Sequence, residues 1–322
     1  MSLELLISNK RTKQIWEVSN SVQSVRWTTN RTGAPGKLNF SIVKSGDLDF
    51  VEGDEVRFSA DGRLQFYGWV FTKVKDRWGV IEVTCYDRLR YLKASASYNF
   101  VNLSAGDILR RIAGDLQLQT SLVADTGYAI PSLVKQEQTC LDIMAAAIQQ
   151  TLLNTGKLFV LFDDGAGLCL QEPESMKSDA VIGAGSLLTD YSYQTDIDRQ
   201  TYNMVKLVRP NKQTGGADAF VVQDSKTIAQ WGLLELYQKL DENMNDAQAQ
   251  ARARASLEYY NRRLRTLKVS SLGVPGLRAG QMVLFQIPGL GDINLDQYVL
   301  LEQAEHAWEN GVHTMELETM AL

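Results

Sequence analysis

A β-module written twice is the feature that most restricts how this chain can fold. One copy reads GDEVRFSADGRLQFYGWVFTKVKDRWGVIEVTC and begins at Gly53. The other reads GQMVLFQIPGLGDINLDQYVLLEQAEHAWENGVHTMELE and begins at Gly280. Gly53, Val56 and Phe58 match Gly280, Val283 and Phe285 in spacing, and a long alternating strand follows in each. Both copies reach a glycine before the next strand, Gly79 after Trp78 and Gly311 shortly after Trp308. The interval is 26 residues in the first copy and 31 in the second. The excess falls in PGLGDINLDQ, which reads as a loop, where insertions are tolerated.

The residues before the first copy are also strand-rich. ELLIS, QIWEVS, VQSVRWTT, KLNFSIV, EVRFSA, RLQFYGWVFTKV and VIEVTC are short β-branched and aromatic runs separated by turn residues. Asp61-Gly62 between two alternating runs predicts a type I′ hairpin, because both residues tolerate positive φ. Seven strands at this spacing predict a small barrel or sandwich. From Asp87 to Leu92 the pattern turns helical. Ser104 with Asp107 predicts a capped helix whose apolar face is Ile108, Leu109, Ile112 and Leu116. Thr139 with Asp142 predicts a second, with Ile143, Met144, Ala147, Ile148 and Leu152 inward and Gly156 as its stop. A hairpin with Asp164-Gly165 at its turn follows. The β-character returns at DYSYQTDI, YNMVKLVRP and AFVVQD. An Ala-rich helix capped by Asn245 then interrupts it, with Leu257, Tyr260 and Leu264 as its candidate face. RTLKVSS, QMVLFQI, QYVLLEQAEHAW and HTMELET complete the second β-unit.

The expected fold is mainly β with an α+β insertion: two similar small tube-like β-barrels flanking a mixed α/β domain. The expected divisions are 1–97, 98–188 and 189–322, with the helical insertion at about 243–263. At 322 residues the chain has room for two or three domains. A hydrophobic content of 44% with 22% charged residues is a globular profile. A net charge of −5 argues against a sequence-specific nucleic-acid binder. Apolar runs fall short of a membrane helix, and the N-terminus lacks the pattern of a secretory signal. The three separated cysteines, Cys85, Cys140 and Cys169, fit buried thiols made in a reducing cytoplasm.

Catalytic and cofactor motifs do not assemble, so neither an enzyme nor a cofactor is expected. The two histidines, His306 and His313, lack zinc-ligand spacing and read as strand or interface residues, and Cys85 reads as core rather than as their nucleophile. GAPGKL resembles a phosphate loop, but Arg31 stands where the first glycine belongs and Leu38 follows Lys37. Asp292, Asn294 and Asp296 resemble the start of a calcium loop. Gln297 and Gln303 stand at its sixth and twelfth positions, which favours a solvated loop. Asp87 is the most suggestive acid, and its expected role is to cap the turn that follows it.

What stands out instead is apolar surface. In RLQFYGWVFTKV one face carries Leu64, Phe66 and Val70, yet the other carries Tyr67, Trp69 and Phe71. In the second module Tyr298 and Leu300 lie opposite Val299 and Leu301. Another part of the chain, another subunit, or both must cover the second face. Three copies of a chain with two such modules would close into a ring of six, able to match a sixfold partner on one side and a threefold partner on the other.

Nearly the whole chain resembles the XkdQ/YqbQ-like tail proteins of phages, defective prophages and tail-like bacteriocins, relatives of the baseplate hub of contractile tails. The resemblance rests on PGKLNFSIVK, GDEVRFSADGRLQFYGWVF, CYDRLRYLKA, DTGYAIPS, TCLDIMAAAIQQT and NMVKLVRPNKQTGG. Its most specific part is DSKTIAQWGLLELYQKLDENMNDAQAQARARASLEYYN, then GLRAGQMVLFQIPGL and HTMELE. The resemblance implies a homotrimeric, non-enzymatic hub whose six barrels continue the tail tube and receive a trimeric spike. It also implies contacts with a tube or tube-initiator protein and with LysM-like or wedge baseplate proteins, in a particle assembled in the bacterial cytoplasm. A tail-tip cell-wall hydrolase and a wall-binding β-module are the competing readings. The expected interface residues are Tyr67, Trp69, Phe71, Tyr298 and Leu300.

Overall fold

The computed structural model describes residues 2–43, 46–211, 215–240, 242 and 244–319. All seven strands expected in the first module form: β1 (Leu3–Ser8), β2 (Ile15–Glu17), β3 (Val22–Asn30), β4 (Lys37–Val43), β5 (Glu55–Ala60), β6 (Arg63–Lys75) and β7 (Val80–Tyr86). The β5–β6 turn is the expected I′ hairpin, with Asp61 at φ 49° and Gly62 at φ 76°. A 3-10 turn, Arg88–Lys93, follows β7.

The middle segment contains β8 (Ser95–Ser104), α1 (Ala105–Asp115), β9 (Thr120–Val123), β10 (Ala129–Thr139), α2 (Cys140–Thr155), β11 (Val160–Asp163) and β12 (Leu168–Gln171). Both helices start where their caps predict. Ser104 accepts from the Asp107 amide at 3.1 Å, and Thr139 accepts from the Asp142 amide at 3.1 Å. Gly156 ends α2 in the left-handed region, at φ 72°. Ile108, Leu109, Ile112, Ile143, Met144 and Ala147 are buried, as the periodicity requires. The inward stripe of α2 also contains Cys140 and Thr151, whereas Leu152 is half-buried. Thr151 is tolerated there because its hydroxyl donates to the Ala147 carbonyl at 2.9 Å.

After β13 (Lys177–Gly183) and β14 (Leu188–Asp196) come β15 (Met204–Asn211), β16 (Gly216–Gln223), α3 (Ser225–Trp231), β17 (Glu235–Lys239) and α4 (Asp246–Tyr260). The chain then returns through β18 (Leu264–Leu272), β19 (Met282–Leu290), β20 (Ile293–Glu309) and β21 (Val312–Thr319). Two compact units result: the described residues up to Ser192 together with those from Leu267 onward, and Tyr193–Thr266.

In the larger unit the two modules share one strand order, although the outermost pair is antiparallel in the first (β1 with β5) and parallel in the second (β13 with β19). Module one runs β3-β4-β7-β6-β5-β1, and module two runs β14-β18-β21-β20-β19-β13. Gly53 and Gly280 both sit at φ 88°, a conformation that favours glycine. The Gly53 amide donates to Val70 O at 2.8 Å, and the Gly280 amide donates to Leu301 O at 2.8 Å. A bulge follows each acceptor, between Val70 and Thr72 on β6 and between Leu301 and Gln303 on β20. The extra residues of the second module mostly lengthen the β19–β20 hairpin. PGLGDINLDQ is therefore strand on both sides of a tight turn at Gly291-Asp292, because Leu290 pairs with Ile293.

The modules are joined by strand pairing. β3 lies antiparallel on the second half of β20, from Gln303↔Asn30 to Glu309↔Ser24, so both modules share one 13-stranded sheet. Trp308 of β20 enters the first module's core and meets Phe58 edge-on at 4.8 Å. Among the described residues no ladder closes either module on itself.

In the smaller unit, β16-β15-β17 form a three-stranded sheet with α4 packed on β15 and β16. The buried face of α4 is Ala249 and Ala253, with Leu257 partly buried; Leu264 belongs to β18. Small side chains at i and i+4 let the helix lie close to Val205 and Leu207. IAQWG ends α3, with Asp224 accepting from the Lys226 amide at 2.8 Å and Gly232 at φ 81°. Among the described residues no helix is long and apolar enough to cross a membrane.

Candidate assembly interface

The second face of β6 is covered in part by its own chain. Alternation along β6 sends Val70 inward and leaves Tyr67, Trp69 and Phe71 half-buried on the outer side. The 3-10 turn after β7 folds back over them. Trp69 meets Tyr91 edge-on at 5.3 Å, and Phe71 meets Tyr86 and Tyr91 at 5.4 and 5.9 Å. Arg88 lies over Tyr67 and Trp69 at 5.0 and 5.6 Å, and Arg90 lies over Phe71 at 5.3 Å. This aromatic band keeps part of its surface open.

Tyr298 and Leu300 sit on β20 opposite Leu284 and Met282 of β19. Tyr298 is 39% exposed, with the Lys177 ammonium 5.1 Å from its ring centre. Leu300 is half-buried. The five residues thus fall into two separate patches, one per module.

Beneath the first patch lies a buried charge network. Asp87 caps the 3-10 turn, accepting from the Leu89 amide at 3.0 Å, and also accepts from the Gly36 amide at 2.9 Å. Asp163 accepts from the Arg88 amide, from Arg88 Nη1 and from the Gly165 amide, all at 2.8–3.1 Å. Arg278, from the second module, donates through Nη1 to Asp163 O at 2.6 Å and lies over Phe162. Burial and the neighbouring Asp163 hold the Asp87 carboxyl well above the ordinary range, and Arg278 opposes that shift. Burial raises Asp163 and the Arg88 guanidinium pulls it back. A cleft of about 190 Å³ opens beside the network, lined by Arg63, Gln65, Tyr67, Asp163 and Arg278 among others. Both oxygens of Asp87 are already engaged by backbone amides, so the arrangement anchors a turn. GAPGKL supplies one of those amides. A side-chain carbon at Gly36 would stand 2.4 Å from Asp87 Oδ2.

The two histidines meet in the core. His306 is fully buried beside Trp27 and Trp308, and its Nε2 contacts the Leu277 carbonyl at 2.6 Å. A carbonyl only accepts, so His306 carries its proton on Nε2 and presents a bare Nδ1. His313 Nε2, 2.9 Å away, must then donate to that Nδ1. Burial pushes His306 down to about 3 and His313 to about 4, so both are neutral at physiological pH. The sequence placed both in strands but gave no sign of their contact, which depends on the β20–β21 register.

The thiols of Cys85, Cys140 and Cys169 are all raised by burial, Cys169 to about 11. They are protonated at neutral pH and poor nucleophiles. Asn294 accepts from the Gly289 amide at 2.7 Å and Asp296 from Gln286 at 3.1 Å, so the calcium-like run serves its own hairpin. Among the described residues no three His, Cys, Asp or Glu side chains gather as metal ligands.

Sequence comparison places this geometry in a known group. The YQBQ-like family model matches residues 25–320. The chain belongs to the YQBQ-like family. Two Bacillus subtilis (strain 168) relatives of this YQBQ-like chain are similar along nearly their full lengths. The uncharacterized protein YqbQ is 31% identical over 92% of this chain and 91% of its own. XkdQ, a protein of the phage-like element PBSX, is 30% identical over 92% of each. In fold, the YQBQ-like chain is similar to the 43 kDa tail protein of prophage MuSo2 from Shewanella oneidensis. The TM-score is 0.73 at 14% identity, over 98% of each chain. It is also similar to an Escherichia coli component of the type VI secretion system described as resembling the T4 tail proteins gp27 and gp5. There the TM-score is 0.57 at 11% identity, over 94% of this chain and 74% of the other.

Proposed function

We propose that this chain is a structural protein of a phage-like tail baseplate. In this reading it is the hub: three copies set six β-modules around a channel, joining the tail tube to a trimeric spike. The observation that carries the reading is the repeated module, with the same strand order, glycine conformation and bulge in both copies. Family membership supports it, as does the fold likeness to tail proteins. The first module acts as a barrel-like ring segment within 1–97; the second draws on 189–322 and on β13 at Lys177–Gly183, the end of the α+β segment expected at 98–188. The partners are a tube or tube-initiator protein, the spike, and LysM-like or wedge neighbours, and the role is mechanical rather than catalytic.

Tyr67, Trp69, Phe71, Tyr298 and Leu300 contribute to contacts between copies or with those partners. The patches differ as tests. Trp69 also holds the 3-10 turn of its own chain, whereas Tyr298 has one charged neighbour and an open face. In a strain that makes the particles, deletion of this chain is expected to leave tubes and spikes unjoined, and Tyr298→Asp to reduce the number of complete tails. Complete, contractile tails in the deletion strain would refute the hub.

A further inference from the structure

Among the described residues, one strand-to-strand joint links the two modules, and two strand edges have no neighbour. In the filled joint, the half of β20 beyond its bulge is paired on both edges, by β21 and by β3 of the first module. The matching half of β6, Phe71–Lys75, is paired by β7 alone; among the described residues no strand lies along its other edge. The counterpart of β3 is β14. Each has nine residues, and each pairs within its own module, β3 with β4 and β14 with β18. Beyond β3 lies β20. Among the described residues no strand lies beyond β14.

We propose that β14 of one copy pairs antiparallel with the Phe71–Lys75 edge of β6 in a second copy, repeating between chains the β3–β20 joint made within each chain. This rests on the hub reading and names its contact. An unpaired strand edge is a row of amide donors and carbonyl acceptors that recruits another strand. Side chains agree with the vacancy. Ala304 and Trp308 of the filled joint are buried, and Arg26 of β3 bridges to Glu305 at 3.1 Å. At the open edge Val74 is 56% exposed and Trp78, just beyond it, 74%; on β14 Tyr191 is 42% exposed. Donor strand and acceptor edge are different surfaces, so the contact is heterologous and repeats from copy to copy until rotation closes the ring.

Hydrogen–deuterium exchange on the full chain, dilute and assembled, tests the joint. Peptides covering 71–75 and 188–196 are expected to exchange at least about tenfold more slowly in the assembly. Peptides covering 304–309 are expected to be protected in both states. Lys75→Pro and Ser192→Pro, each removing an amide donor, are expected to lower the assembled mass threefold with far-UV circular dichroism unchanged. A trimer whose 71–75 amides exchange as fast as in the monomer would overturn the joint and leave the hub standing, as would two proline variants that assemble normally. If the wild-type chain stays monomeric even with its tail neighbours, the hub reading fails and the joint fails with it.

Discussion

His306 and His313 store an acid sensitivity that follows from their geometry. Both are held neutral in the fold, while in the unfolded chain each binds a proton near its ordinary pKa of about 6.5. The unfolded state therefore binds more protons below that pH. The stability contributed by the pair is complete above it and declines as pH falls toward 4. The slope is about 1.4 kcal/mol per pH unit for each histidine that titrates. Urea unfolding at pH 7, 6 and 5 is expected to show this loss, and His306→Gln to flatten it; an unchanged slope would contradict the reading that the fold holds His306 neutral. Gly36 gives a second case. Gly36→Ala forces a carbon against Asp87, with an expected loss of about 1–3 kcal/mol and a lower Tm, measured calorimetrically. At this scale the sequence was partly legible. The caps at Asp87, Ser104, Thr139 and Asn245 follow from local spacing and are present. Gly36 against Asp87, and the histidine pair, join residues that only tertiary register brings together.

The 3-10 turn Arg88–Lys93 governs the first aromatic patch. Arg88 is its anchor: the guanidinium bonds Asp163 and covers Tyr67 and Trp69. Arg88→Leu leaves a buried carboxylate short of its partner, which costs about 3–5 kcal/mol. The double variant Arg88→Leu/Asp163→Leu is expected to be more stable than Arg88→Leu alone in chemical denaturation. The reverse order would mean the turn is held by its aromatic contacts instead. Strong periodicity made β1 to β7, α1 and α2 readable, and alanine content with the Asn245 cap did so for α4. β8, β10 and β17 were not recognised as strands, because each alternates with polar residues and much of their length stays exposed. The inward face of α4 was misjudged for a related reason. Ala249 and Ala253 carry little hydrophobic signal in a sequence already rich in alanine, and their burial depends on close approach to β15 and β16.

For the whole molecule, the repeat is what the sequence disclosed best. It fixed two modules of one plan from glycine spacing and alternation, and the hydrogen bonds at Gly53 and Gly280 reproduce that plan. It did not disclose that β3 crosses to β20 and draws both modules into one sheet, because strand partners far apart in sequence leave no local pattern. That joint holds the two modules in a fixed relation within one sheet. The most direct test is the solution mass of the purified chain by light scattering over a concentration series, alone and with the spike protein proposed as its partner. The hub predicts a trimer, or a monomer that becomes a three-to-three complex when the spike is added. A monomer at every concentration in both conditions would contradict it.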